Sequence, residues 1–248
     1  MRRNARAASE PKARTCDDRW VTKSRDPVWL FDLDDTLHNA SHRAFTELNA
    51  SMAAYMVTYL GLTEEQAAAL RNRYWQRYGA TLTGLQRHHG VKPAHFLSET
   101  HRLPGLEAHL HGHGHDLAAL RRLPGRKLLM TNAPRSYAER VLAAIGLSGV
   151  FERLICVEDM IIFGHSRPKP DTRMFRIVLA RLKLKPERCI LVEDTLIHQK
   201  SARSLGLRTV WMQRWLRKAA DGRRLQHRPA YVTQRVRSLA ALLRYPLF

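Results

Sequence analysis

Apolar residues are spaced along this chain in two ways, and the change between them divides it. Between residues 39 and 102 they fall three or four apart, the spacing that turns one side of a helix toward a core. Ala44, Leu48, Met52, Tyr55, Met56 and Tyr59 follow this rule after Ser41, a candidate N-cap, and Gly61 ends the run. Thr63-Glu64-Glu65-Gln66 opens a second helix with a capping box, Thr at the cap and Gln three later. That helix runs through Leu70 and Tyr74 to Gly79, and two shorter ones follow over 81–89 and 93–102.

Outside this unit the apolar residues run together in short blocks. Val28-Trp29-Leu30-Phe31 reads as a buried strand, and so do Lys127–Thr131, Leu154–Val157, Cys189–Val192, Thr209–Trp211 and Tyr231–Thr233. Helical stretches such as Ser136–Ile145 and Arg173–Leu182 lie between them, and Ser238–Arg244 follows the last. Leu103-Pro104-Gly105 and Leu123-Pro124-Gly125 are breaks. Strands alternating with helices predict an α/β fold: a Rossmann-like parallel-sheet core with helices on both faces. The all-helical unit over 39–102 is then a cap inserted after the first strand. The core takes 27–38 and 103–248, and residues 1–26 read as a basic, mobile N-terminal tail.

Charge changes this picture less than its size suggests. The formal net charge is +20. Residues 1–25 carry 8 basic and 3 acidic side chains and residues 200–248 carry 12 and 1, whereas 26–199 carry 22 and 18. The excess sits at the ends, away from the chemistry described next, so a solvated basic surface is favoured over nucleic-acid contact by those ends. The N-terminus is basic but has no apolar stretch behind it, and no apolar run is long enough to span a membrane. Cys16, Cys156 and Cys189 show no C-x-x-C spacing, which fits a reducing, cytoplasmic setting. His109, His111, His113 and His115 alternate with other residues, either as a transition-metal site or, the favoured reading, as a solvated connector.

Four strand ends carry candidate chemistry. The first strand ends in Asp32-Leu33-Asp34-Asp35-Thr36, with two acids two residues apart. Carboxylates so placed reach one volume beyond the sheet edge, where one can attack and the other move a proton. Another strand ends in Thr131-Asn132, a hydroxyl and an amide. Lys169 stands between Pro168 and Pro170 ahead of a helix, and a fourth strand ends in Glu193-Asp194-Thr195.

This set, in this order, resembles the haloacid dehalogenase superfamily of phosphotransferases, and the likeness runs from about residue 27 to near the end of the chain. The resemblance implies that Asp32 is the nucleophile and forms an aspartyl-phosphate, and that Asp34 protonates the leaving alkoxide and then activates water. It implies a Mg²⁺ ion held by Asp32, the backbone carbonyl of Asp34 and Asp194, with Glu193 beside it. Thr131 would bind a phosphoryl oxygen with Asn132 nearby, and Lys169 would neutralise charge in transfer. Dehalogenases of this fold lack an acid at the Asp34 position, so Asp34 argues for phosphatase or phosphomutase chemistry. His198 departs from the small amide or acid usual at its position.

The cap segment from Arg73 to Leu85 resembles the cap of the pyrimidine 5′-nucleotidase branch. That likeness makes a nucleoside monophosphate the expected partner and Tyr74, Arg77, Tyr78 and Thr81 the candidate substrate residues, with Trp75, His88 and His89 near them. The same aromatics could equally pack the cap's own core. A sugar-phosphate or phosphoglycolate phosphatase, or a mutase, is the alternative enzyme.

Overall fold

The computed structural model describes residues 26–216 and 227–244. The tail expected over 1–26 falls outside it apart from Asp26, as does Cys16. Most of the basic loop expected over Arg214–Pro229 falls outside it too.

The described residues form eight strands: β1 (Val28–Phe31), β2 (Arg126–Met130), β3 (Arg153–Ile155), β4 (Ile161–Ile162), β5 (His165–Ser166), β6 (Cys189–Glu193), β7 (Arg208–Met212) and β8 (Gln234–Val236). Six form one parallel sheet in the order β3-β2-β1-β6-β7-β8, while β4 and β5 pair as a separate antiparallel hairpin. The chain leaves β1 toward one edge and later returns to its other side. The carboxyl ends of β1, β2 and β6 thus flank the switch point at which open α/β sheets bind ligands.

The strands are buried on both faces because their side chains alternate between two cores. Trp29, Phe31, Leu129, Ile190, Val192 and Val210 pack on one face with residues of α5 (Gly114–Arg122) and α6 (Arg135–Ala144). Leu30, Leu128, Met130, Cys189 and Leu191 pack on the other with α7 (Thr172–Arg181) and Ala202 of α8 (Leu196–Arg203). The expected parallel sheet with helices on both faces is what the chain forms.

The cap comprises α1 (Ala44–Leu60), α2 (Glu64–Tyr78), α3 (Thr81–His89) and α4 (Pro93–Thr100). It has a core of its own, with Tyr55, Met56, Leu70, Tyr74, Leu85 and Phe96, and Val157 of the sheet domain joins that cluster. The Thr63 hydroxyl accepts from Gln66 N–H while the Gln66 side chain accepts from Thr63 N–H, the capping box read from sequence. α2 ends at Gly79 with φ +73°, where a Cβ would lie 2.7 Å from Pro170 Cδ. Only glycine therefore lets the cap touch the Lys169 loop there.

Several expectations shift. Ser41 does not cap α1. It lies in a 3₁₀ turn, Ala40–His42, where its N–H donates to Asp35 Oδ1 at 2.8 Å and its hydroxyl donates to Asp35 Oδ2. The last strand is Gln234–Val236 rather than Tyr231–Thr233, because Val232 N–H is taken up in a turn to the Pro229 carbonyl at 2.9 Å. The segment after it is 3₁₀, Leu239–Arg244. The histidine-rich stretch runs into α5, a helix that glycine and histidine concealed. Its buried Asp116 accepts from Arg214 Nε at 2.7 Å and from the Ser238 hydroxyl.

Candidate active site

Asp32 follows β1 directly, its N–H bonded to the Val192 carbonyl of β6 at 3.0 Å. That bond extends the β1–β6 pairing by one residue and fixes the carboxylate at the sheet edge. Lys169 reaches it from the loop before α7. Its ammonium lies 2.6 Å from Asp32 Oδ1 and 2.7 Å from Glu193 Oε2, and the side chain is 1% exposed. A lysine buried this deeply is held by paired carboxylates. Burial alone would lower its pKa, but Asp32 and Glu193 outweigh burial and raise it.

The loop that carries Lys169 is itself clasped. Asn132 Nδ2 donates to the Lys169 carbonyl at 3.0 Å, and Lys169 N–H donates to Asn132 Oδ1 at 2.9 Å. Asn132 thus ties the end of β2 to the Lys169 backbone. Thr131, buried beside it, accepts from Ala133 N–H at 3.0 Å, a local turn that leaves its own O–H proton free to donate.

Glu193 ends β6 fully buried. Besides Lys169, its Oε1 accepts from Thr195 N–H at 3.1 Å, and His198 Nδ1 lies 3.1 Å from Oε2. Burial would push this carboxyl up, yet Lys169 and then His198 hold it well below the ordinary carboxylate range. Asp32 goes the other way: burial, then the charge of Glu193, raises it well above its usual value despite Lys169. Asp194 is raised by burial, then by Glu193 and Asp32. One ammonium, bonded to Asp32 and Glu193, therefore stands against three clustered acids.

That charge imbalance tests the implied metal. Asp32, Glu193 and Asp194 each offer an oxygen, all within 4.8 Å of one another. Hard carboxylate oxygens with unspent negative charge suit Mg²⁺, which takes one or two carboxylates and keeps several waters. The residues present fit such an ion. No comparable group involving the histidines at 109–115 occurs among the described residues.

Asp34 stands two residues on, with its side chain 18% exposed. Its Oδ1 accepts from the Tyr137 hydroxyl at 2.9 Å and lies 2.8 Å from His38 Nε2. Both partners are buried, and neither was anticipated. His38 carried a weak signal, four residues after Asp34, whereas Tyr137 carried none. Burial, then the charge of Asp34, raises the Tyr137 phenol well above its usual range and keeps it a donor. Thr36 is buried, and its hydroxyl has no protein partner among the described residues.

The structure divides the cap candidates. Tyr74 is packed inside the cap, bonded to His89 Nε2 at 2.9 Å and lying against Gly84, where a Cβ would meet its ring. Thr81 is buried too, its hydroxyl 3.5 Å from the Arg71 carbonyl. Arg77 and Tyr78 line a cleft of about 740 Å³ between the cap and the loop of Pro168, Pro170 and Asp171. The Arg77 and Arg87 guanidiniums lie 5.5 and 5.2 Å from the Tyr78 ring centroid. Trp75 is exposed.

Comparison with known proteins agrees with this geometry. The model of the family described as "haloacid dehalogenase-like hydrolase" matches residues 28–206. "Phosphate metabolism protein 8" of Saccharomyces cerevisiae is 24% identical over 193 residues, 73% of this chain and 59% of that protein. An (S)-2-haloacid dehalogenase of Pseudomonas fluorescens is 29% identical over 120 residues, 47% and 51% of the two chains. This chain thus spans little more than half the length of either relative. A HAD phosphatase from Thermococcus onnurineus shares the fold, with TM-score 0.57 and 19% identity over 88% of this chain and 96% of that one. The strand-end carboxylates and their lysine stand inside the matched segment, and the chain belongs to the haloacid dehalogenase-like hydrolase family.

Proposed function

We propose that this hydrolase cleaves phosphate monoesters through an aspartyl-phosphate on Asp32, with Mg²⁺ as cofactor and a nucleoside monophosphate as substrate. The observation that carries the reading is the Lys169 ammonium 2.6 Å from Asp32 Oδ1, with Asp34 two residues on. Asp32 attacks phosphorus, and the bond to the ester oxygen breaks toward that oxygen, which takes a proton from Asp34. Water then attacks the aspartyl-phosphate as Asp34 recovers a proton, and the Asp32 carboxylate is released. Lys169 and the Thr131 hydroxyl steady the charge on the moving phosphoryl group. Held by Asp32, Asp194 and the Asp34 carbonyl with Glu193 behind them, Mg²⁺ would offset the repulsion between carboxylates and phosphate.

A dehalogenase is named among the relatives, but a halide leaves without a proton, so Asp34 favours an ester. The nucleotide part rests on the branch likeness of the cap and on Tyr78 and Arg77, an aromatic face and a cation on the cleft wall beside the Lys169 loop. A cytoplasmic setting goes with this reading and is supported by cysteines without C-x-x-C spacing.

The test is phosphate release from UMP, CMP, AMP, phosphoglycolate and an aryl phosphate, with Mg²⁺ and with chelator. Mg²⁺-dependent release is expected, with nucleotides best. Asp32→Asn is expected to lose on the order of 10⁴-fold or more while keeping its fold. Release from sugar phosphates at least equal to that from nucleotides would remove the nucleotide part, and release unaffected by Asp32→Asn would remove the mechanism.

A further inference from the structure

The two oxygens of Asp34 are treated differently. His38 Nε2 and the Tyr137 hydroxyl both meet Oδ1, at 2.8 and 2.9 Å. Oδ2 has no hydrogen-bond partner among the described residues, although the side chain is partly open to solvent. The two donors come from separate places. His38 lies on the turn after β1 and Tyr137 on α6, which follows the Thr131-Asn132 strand end.

Both are buried, and Asp34 is the hydrogen-bond partner of each side chain among the described residues. His38 is 0% exposed, and its other ring nitrogen, Nδ1, has no partner. An imidazole in that setting carries its hydrogen on Nε2 and gives it to the carboxylate. Tyr137 is 2% exposed, and His101 stands edge-on to its ring with centroids 5.8 Å apart.

We propose that His38 and Tyr137 are positioning residues that hold Asp34 by Oδ1 and reserve Oδ2 for the proton passed to the leaving oxygen. Two donors on Oδ1 occupy both of its lone pairs, so a carboxyl hydrogen has its place on Oδ2. Turning the carboxylate over would break two partly buried hydrogen bonds at once. In the first step the Oδ2–H bond breaks as the ester oxygen takes the proton, while the phosphorus–oxygen bond gives its electron pair to that oxygen. In the second step Oδ2 takes a proton from the attacking water. This rests on the reading of Asp34 as general acid.

Leaving groups separate this role from a structural one. An alkoxide needs the proton to depart, whereas 4-nitrophenolate departs with little help. The readout is kcat/KM for an alkyl phosphate and for 4-nitrophenyl phosphate, since kcat/KM reports transfer to Asp32. Tyr137→Phe removes one oxygen and is expected to lower the alkyl value about tenfold or more, the loss expected for one hydrogen bond to a charged group, and the aryl value much less. His38→Leu is expected to show the same bias, and His38→Gln, which keeps a donor, to recover most of the alkyl rate. Thermal melts identify any variant that fails to fold, and either site alone decides the matter.

Asp34→Asn is the reference. A strong alkyl bias in Asp34→Asn, with equal losses for both esters in Tyr137→Phe and His38→Leu, would overturn the positioning role and spare the general acid. No bias in Asp34→Asn would overturn the general acid and the positioning role with it.

Discussion

The carboxyl edge of the sheet and the helical cap both hold polar pairs, but the edge buries charged groups whereas the cap's pairs reach the surface. At the sheet edge the partners come from far apart in the chain: Lys169 joins Asp32 and Glu193, Asn132 joins the Lys169 backbone, and Tyr137 joins Asp34. In the cap the pairs are tyrosine–histidine contacts between its own helices, each with its histidine exposed. Tyr55 meets His95 at 2.9 Å, Tyr74 meets His89 at 2.9 Å and Tyr78 meets His88 at 2.6 Å. Ionic groups that must share one small volume need scaffolding from many strands. The tyrosine–histidine pairs need only a helix and a neighbour. The edge is therefore the part in which a single change reaches several elements, and the cap the part in which damage stays local.

The largest break in that contrast is Lys169→Met. It leaves Asp32 and Glu193 buried without their cation. The expected cost is about 3–5 kcal/mol in urea unfolding at neutral pH, together with loss of phosphate release. A cost below about 1 kcal/mol would mean that water reaches the carboxylates and that the edge is no tighter than the cap.

His101 sharpens the comparison where the cap joins the core. Burial lowers its pKa from 6.5 to about 4, against the opposing pull of Asp34. A histidine that resists protonation when folded contributes its full stability above pH 6.5. It loses that contribution as pH falls toward 4, because the unfolded chain takes up the proton first. The swing amounts to about 3 kcal/mol. Unfolding free energy should drop across that window, and His101→Gln should flatten the drop. An unchanged pH profile in the variant would assign the acid sensitivity to other groups.

Within the cap, Gly84→Ala would place a Cβ 2.2 Å from Tyr74 Cγ. Overpacking of this kind costs about 1–3 kcal/mol. The loss should appear as earlier protease cleavage within 44–100 and leave the sheet domain's protection intact. Equal loss of protection in both parts would show that they unfold as one. The smallest effect belongs to Thr63→Ala, which removes the capping box for about 1 kcal/mol, read as a lower urea midpoint with unchanged phosphate release.

The same contrast explains what could be read from the sequence. Buried parallel strands announce themselves as apolar runs, so β1, β2, β6 and β7 were legible with their terminal Asp32, Thr131 and Glu193-Asp194. The cap helices were legible because their faces repeat and Thr63 and Gly79 punctuate them. β8 was misplaced by three residues because Val232 and Val236 are both buried, and only the turn to Pro229 decides which segment pairs. α5 was missed because Gly112, Gly114 and the histidines mask a face that Leu117 and Leu120 bury. Tyr137 is invisible in the sequence as a partner because its meeting with Asp34 spans 103 residues and is created by the fold, whereas His38, four residues after Asp34, carries a weak signal. Tyr74 and Tyr78 lie four apart on one helix, yet one faces the cap's interior and the other the cleft.

The contact between Gly79 and Pro170 sets a limit on how this protein can change over evolutionary time. The side chains of α2 and α3 that line the cleft, such as Arg77, Tyr78 and Arg87, do not press on the Lys169 loop through a backbone position. Residue 79 would do so, because any side chain there would shove the loop that holds Lys169. Changes across the cap must therefore leave a fixed pivot, and variants that diverge widely there should still keep that one position empty.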